Sequence, residues 1–305
     1  MINEFIEKIK NKKLVAEELS GWLGDIKIKK ITIYRESDFM YVAEYIIGDK
    51  KYIGKIRLDN EINTAKVQHS NLIKINKLTK NKLNIPQELF YSNNLEAFFY
   101  NKIEGTSLEE LIEAKKPIDN KFLKLAVDWI INLEKISLSK NTKLNPQFKP
   151  EYILNETTRN SKFNKEISEL IKTIYKLRLK FQLKRAYLCH NDYQPQNIFF
   201  DNNQVAAIDF DNSILDDPMI DFTNLYIQLR YGGKTRKEEL EKYRKYIFKY
   251  YRSKTKIKEN FEERFHLYLS IASVKNLNKH LVEKNKARAT HRINKIKKNL
   301  LFFNE

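Results

Sequence analysis

Apolar positions change their rhythm several times along the chain, and each change marks an element. In the first 24 residues Phe5, Ile6, Ile9, Leu14, Val15 and Leu19 recur at the three-to-four spacing of a helical face. The segment therefore predicts one or two helices, closed by Gly21 and Gly24. Three runs rich in β-branched and aromatic residues follow, at 26–34, 39–47 and 51–58, and predict strands. Gly48-Asp49-Lys50 supplies the turn between the second and the third. Ile62, Ala65, Leu72, Ile75 and Leu78 restore helical spacing over about 60–79, and Asn84-Ile85-Pro86 ends it. Two further strands are expected at 88–91 and 97–102.

Beyond Thr106 the pattern is mainly helical. Ser107 followed three residues later by Glu110 reads as a capping box for a helix over 108–114. Helices are expected at 122–136 and 165–181. Two short strands, 198–200 and 205–208, flank the turn Asp201-Asn202-Asn203. From Asp221 the chain reads as helix to its end, with breaks near Gly232-Gly233 and around 254–260. A small antiparallel sheet with helices followed by a helical half is an α+β, two-lobed plan. The expected division is 1–104 and 105–305, at Glu104-Gly105, with no internal repeat and no low-complexity linker.

Composition narrows the class. The chain has 305 residues, enough for one large or two medium cores, and is 42% hydrophobic and 12% aromatic, as in globular proteins. There is no apolar run of membrane-spanning length and no signal-peptide core, so a cytoplasmic protein without a membrane span is expected. A single cysteine, Cys189, excludes an intrachain disulfide. The formal net charge is +18, and from Tyr251 onward Lys and Arg outnumber acids fourteen to five. The cations are nevertheless spread along the chain and not interleaved with aromatics as in a recognisable nucleic-acid module, so no nucleic-acid partner is expected.

The gap in the basic residues is more telling. None of the 57 Lys and Arg lies between Arg185 and Arg230, where the mean density would place about eight. That stretch holds seven aspartates: Asp192, Asp201, Asp209, Asp211, Asp216, Asp217 and Asp221. An acidic island in a basic chain suggests a reserved cation site, with Mg²⁺ the natural occupant of oxygen ligands. Within it, His190-Asn191-Asp192-Tyr193-Gln194-Pro195-Gln196-Asn197 precedes a strand, and Ile208-Asp209-Phe210-Asp211 closes the hairpin. A tight hairpin returns its far end to its beginning, so Asp209 should lie near Asn197. Phosphoryl transfer needs such parts: an Asn oxygen and an Asp carboxylate to hold Mg²⁺ on the phosphates, and a separate Asp to orient a hydroxyl and take its proton.

At these residues the chain resembles the aminoglycoside phosphotransferase and choline kinase superfamily, relatives of the protein kinases, which carry a His-x-Asp-x-x-x-x-Asn loop followed by Ile-Asp-Phe/Trp. Asp217-Pro218-Met219-Ile220-Asp221-Phe222 is similar to the family's Asp-Pro-x-x-Asp-Leu segment. The resemblance implies a protein-kinase-like fold, ATP or GTP as donor, Mg²⁺, and a small hydroxylated acceptor. It implies Asp192 as the catalytic base, Asn197 and Asp209 as metal ligands, and His190 and Asp221 as supports of the loop. Asp211 is assigned either to metal support or to the acceptor. Lys55, in the third strand, is implied as the phosphate-binding lysine. Ser37 stands in the phosphate-covering turn, and Asn101 and Ile103 on the hinge strand that meets the base. The acceptor stays open between sugars, amino alcohols and antibiotics. Tyr226, Tyr231 and Trp129 could serve a choline cage, and Asp211, Asp216 and Asp217 an aminoglycoside. The chain departs from the family at Gln196, usually Gly, and at Asn71, where the family has the helix Glu that pairs with the strand lysine. The second departure keeps an alternative in view: a nucleotide-binding protein with weak or no catalysis, as in spore-coat kinase-like proteins, whose loop can read His-Gln-Asp-Tyr.

Overall fold

The computed structural model describes residues 2–37, 40–59, 62–80, 82–87, 89–114, 116–136, 164–181, 183–229, 237–282 and 286–303. The chain divides into two units, Met1–Leu108 with Gln196–Ser213, and Glu109–Pro195 with Ile214–Glu305. The border read from the sequence falls a few residues before Leu108, and the hairpin that carries Asp209 groups with the first unit.

The first unit opens with helices α1 (Ile2–Lys10) and α2 (Lys12–Leu23). Asn11 caps α2, its side-chain oxygen accepting from the N–H groups of Lys13 and Leu14 at 3.0 and 3.2 Å. Strands β1 (Ile28–Ser37), β2 (Met40–Ile47) and β3 (Lys50–Asp59) form an antiparallel meander. β4 (Ile62–Asn63) pairs with β3, and helix α3 (Thr64–Thr79) follows. β5 (Phe90–Ser92) and β6 (Ala97–Asn101) complete the sheet in the order β1-β2-β3-β6-β5. Helix α3 thus starts later than its apolar spacing suggests, because Ile62 and Asn63 are still extended.

Alternation along β3 assigns its side chains to two faces. Tyr52 and Ile56 join Tyr41, Tyr45 and Phe99 in the core that Ile6, Ile9, Val15 and Leu19 of the first two helices close. Gly54 lies on this face, where an added Cβ would come within 2.6 Å of Tyr45 and 2.8 Å of Phe99, so only glycine lets the rings close over the strand. Ile53, Lys55 and Arg57 take the opposite face.

A second small sheet, β10-β9-β7, is built from β7 (Thr106–Ser107), β9 (Ile198–Asp201) and β10 (Gln204–Ala207). Gly105 enters it at φ +115°, with the carbonyl oxygen of Phe200 2.2 Å from where a Cβ would stand. Both the backbone angle and the space demand glycine. Gly105→Ala should therefore destabilise by about 3 kcal/mol or prevent folding; an unchanged urea midpoint would refute that account.

The second unit is helical: α4 (Leu108–Glu113), α5 (Asn120–Ile136), α6 (Asn164–Phe181), α7 (Met219–Gln228), α8 (Lys237–Lys254), α9 (Phe261–Val282) and α10 (Lys286–Leu301). Residues 255–260 separate α8 from α9, at the expected break, whereas Gly232-Gly233 lies outside the described residues. α10 shows why such a lysine-rich segment packs: Ala289, Ile293, Ile296 and Leu300 form one buried stripe. Two three-residue strands, β8 (Tyr187–Cys189) and β11 (Ile214–Asp216), pair antiparallel, one before and one after the β9–β10 hairpin. They are too short to show an alternation in sequence.

The helical core holds an unusual carboxyl. Glu134 is buried and accepts hydrogen bonds from the Tyr251 hydroxyl at 2.5 Å and the Thr255 hydroxyl at 3.0 Å. Burial pushes its carboxyl up to about 7, against the relief of those two hydroxyls. The folded state thus holds a proton that the unfolded chain releases near 4.5, and stability should fall as pH rises from about 4.5 to about 7. Glu134→Gln should remove up to about 3 kcal/mol of that slope. Parallel Tm-against-pH curves for the two proteins would contradict this.

Candidate active site

Lys55 projects from β3 and is 6% exposed. Its Nζ lies 2.5 Å from Oδ1 of Asp209, a residue 154 positions later in the chain. Asp209 is delivered by the β9–β10 hairpin. The N–H of Ile208 donates to the carbonyl oxygen of Asn197 at 3.0 Å, which sets the backbone leading to Asp209 beside Asn197. Asp209 itself has φ +69°, the left-handed region that non-glycine residues seldom enter. Two residues on, the Asp211 carboxylate accepts from Nη1 of Arg57 at 2.7 Å, and its side chain is only 5% exposed. Burial and the neighbouring Asp209 charge push the Asp211 carboxyl upward, opposed by Lys55 and Arg57. From α3, Nδ2 of Asn71 donates to the carbonyls of Phe210 at 3.3 Å and Asp211 at 3.4 Å. Asn71 therefore meets the backbone after Asp209, and the strand lysine has Asp209 as an acid partner. Glu61, the nearest acid on the helix side in sequence, lies outside the described residues.

In the helical unit, Asp221 near the start of α7 takes hold of the loop that contains Asp192. Its carboxylate accepts from the N–H groups of His190 at 2.8 Å and Asn191 at 2.7 Å. Asn191 has φ +63°, and its carbonyl accepts from Nδ2 of Asn224 at 3.0 Å, so neighbouring groups fix this conformation. His190 is fully buried beside Trp129 and Tyr193, and its Nδ1 accepts from the N–H of Asp192 at 3.3 Å. Asp192 is half-buried, with Oδ2 accepting from Nε2 of Gln194 at 3.1 Å. Tyr193 locks the next step of the loop: its hydroxyl donates to the Ala126 carbonyl at 2.9 Å and its ring stacks on Trp129 at 4.9 Å.

Other expected residues fall variously. Ser37 ends β1, and its Oγ lies 3.4 Å from the Met40 carbonyl; Asp38 and Phe39 of that turn are outside the described residues. The Lys102 N–H donates to Lys51 at 2.8 Å, so strand alternation turns the main-chain groups of Asn101 away from β3. Ile103 follows just beyond the strand end, and the Asn101 side chain is engaged by the Gln87 N–H at 2.7 Å.

The acidic-island reading needs correction. Asp216 is buried between Arg178 at 2.5 Å and the Tyr268 hydroxyl at 2.7 Å, and Asp217 meets Arg264 twice at 2.5 Å. Both are about 1% exposed, so they tie helices together instead of facing an acceptor. Trp129 is likewise core, and Tyr226 packs under the Arg244 guanidinium at 4.0 Å, while Tyr231 lies outside the described residues.

Among the described residues no cluster of three or more His, Cys, Asp or Glu gathers to hold a metal. Asn197 and Asp209 offer an amide oxygen and a carboxylate. That donor set suits Mg²⁺, which is commonly bound by one or two protein groups and completed by phosphates and water.

A small antiparallel sheet followed by a helical unit is the plan of the protein-kinase-like fold. Solved structures share the fold. A thermostable mutant of aminoglycoside phosphotransferase APH(4)-Ia, in ternary complex with ADP and hygromycin B, superposes with a TM-score of 0.67 at 14% identity, over 94% of this chain and 97% of that one. The GDP complex of aminoglycoside 2'-phosphotransferase-IIIa gives 0.58 at 16% identity, over 95% and 98%. The gentamicin complex of APH(2")-IIa gives 0.57 at 18%, over 92% and 94%. No curated protein matches the chain in sequence. The model of the phosphotransferase enzyme family matches residues 87–259, more than half of the chain, and the chain belongs to that family.

Proposed function

We propose that this protein transfers the γ-phosphoryl group of ATP to a hydroxyl of a small molecule, with Mg²⁺ as cofactor. The observation that carries the reading is the meeting of Lys55 with Asp209 on one face of β3. It supports a site where one cation and one metal-binding carboxylate serve the same phosphates.

Lys55 neutralises phosphate charge, and the main chain of Asn101 and Ile103 receives the base. Ser37, in the turn between β1 and β2, donates to a phosphate. Asp192 orients the acceptor hydroxyl and takes its proton as the oxygen bonds to the γ-phosphorus and the bond to the bridging oxygen of the departing ADP breaks. A Mg²⁺ ion held by Asn197 and Asp209 would supply neutralisation of the phosphate oxygens. Asp221 and His190 hold the Asp192 loop in shape, and Asp211 acts through Arg57. Residues 1–104 then form the nucleotide-handling lobe and 105–305 carry the loop and the acceptor-binding surface. Dependence on ATP fits a cytoplasmic site of action, and among the described residues no helix is long and apolar enough to cross a membrane.

A second reading, nucleotide binding without turnover, is favoured by Asn71 standing where the family has its acid. A nucleotide-consumption screen with ATP and GTP, across aminoglycosides, amino alcohols, sugars and other hydroxylated metabolites, separates the two. Acceptor-stimulated release of ADP or GDP supports the enzyme. Mg²⁺-dependent AMP-PNP binding without turnover on any acceptor, and without slow hydrolysis, supports the second.

A further inference from the structure

The loss of the helix acid has a structural counterpart on the first unit. We infer that Asn71 and Arg57 form a clamp on residues 209–211 that positions the Asp209 carboxylate, replacing a direct helix-to-lysine ion pair. The inference rests on the phosphotransfer reading and names two positioning residues for its metal site.

Three observations converge. Asn71 spends its amide donors on consecutive carbonyls, those of Phe210 and Asp211. A carboxylate at position 71 could make neither bond, since it has no N–H and would face two carbonyl oxygens. Arg57 holds the next side chain, Asp211, from the same face of β3 that presents Lys55. Asp209 lies just before both anchors at φ +69°, a conformation that persists only where its surroundings over-determine it. Lys55 then follows Asp209 at 2.5 Å. In this chain the lysine is oriented through the aspartate, and the aspartate through its backbone.

The clamp reverses the usual expectation for position 71. If Asn71 were a decayed acid, restoring the carboxylate should improve the site. If it is a clamp, Asn71→Asp, which is nearly isosteric, should harm it. The test titrates Mg²⁺ into the full-length protein with AMP-PNP and compares wild type, Asn71→Asp, Arg57→Met and Arg57→Lys, with AMP-PNP affinity in EDTA measured in parallel. Loss of an outer-shell partner typically weakens metal affinity about 10–100-fold, and that loss is expected for Asn71→Asp and Arg57→Met. Metal-free AMP-PNP affinity should fall several-fold less than Mg²⁺ affinity, because Lys55 keeps its place on β3 and loses only its orienting partner, and Arg57→Lys should recover part of the Mg²⁺ loss because it keeps a cation for Asp211. A general loss of structure would instead lower both affinities alike and leave no rescue.

Mg²⁺ affinity in Asn71→Asp equal to or above that of wild type overturns the clamp and leaves the phosphotransfer reading standing. Absence of Mg²⁺-dependent AMP-PNP binding in wild type overturns that reading and the clamp with it. Should Arg57→Met not fold, the Asn71→Asp and Arg57→Lys comparison decides alone.

Discussion

Asp192→Ala should lower acceptor phosphorylation by about 10²–10⁴-fold, the range a positioned general base contributes, while AMP-PNP affinity changes by less than about twofold. The split follows from what Asp192 touches. Its carboxylate receives the Gln194 amide, and the shape of its loop is set by other groups. Asp221 grips the N–H groups of His190 and Asn191, Asn224 grips the Asn191 carbonyl, and Tyr193 is anchored to Ala126. Truncation at Asp192 removes a proton acceptor and leaves these anchors intact, so thermal stability should hold. Asp221→Ala should do the opposite. It strips the buried His190 N–H and the half-buried Asn191 N–H of their acceptor and should cost stability together with activity. Equal turnover in wild type and Asp192→Ala would count against the mechanism; equal loss of nucleotide binding would place Asp192 in the wrong role.

The parts of the site that were legible in sequence are those set by local geometry. The turn Asp201-Asn202-Asn203 between two short apolar runs announces the β9–β10 hairpin, and the hairpin alone brings Asp209 back toward Asn197. Lys55 was legible through a family's lobe order, not through any property of its strand. What escaped is the origin of the counter-charges. The stretch 186–229 has no Lys or Arg of its own, which reads as an acidic surface awaiting an ion. In the folded chain, Asp209 and Asp211 meet Lys55 and Arg57 from β3. Within the helical unit, Asp216 and Asp217 meet Arg178 from α6 and Arg264 from α9. Burial drives that pairing, since an unpaired carboxylate in a core costs several kcal/mol, and no local window reveals a partner contributed by a distant element. The short strands β8 and β11 escaped for a related reason: three residues are too few for a period, and their pairing joins segments on either side of the hairpin.

Asp209→Ala should abolish Mg²⁺-dependent AMP-PNP binding and, unlike Asp192→Ala, should also destabilise the protein. The side chain has two tasks on one carboxylate. As a proposed metal ligand it supplies charge that no neighbour replaces, because Asp211 is already committed to Arg57. As the partner of Lys55 it satisfies an ammonium whose side chain is only 7% exposed, and stripping one partner from a buried pair costs about 3–5 kcal/mol. The two tasks can be separated. Adding Lys55→Met to Asp209→Ala removes the stranded charge and keeps apolar volume on that face of β3, so Tm should recover toward wild type. Metal-dependent binding should stay absent, because the carboxylate is still missing. Recovery of both in the double variant would mean that the single change acted only by unsettling the fold, and Asp209 would lose its place as a ligand. Recovery of neither would mean that stranding the Lys55 ammonium, 2.5 Å from Asp209 in the intact protein, is not what destabilises the single variant.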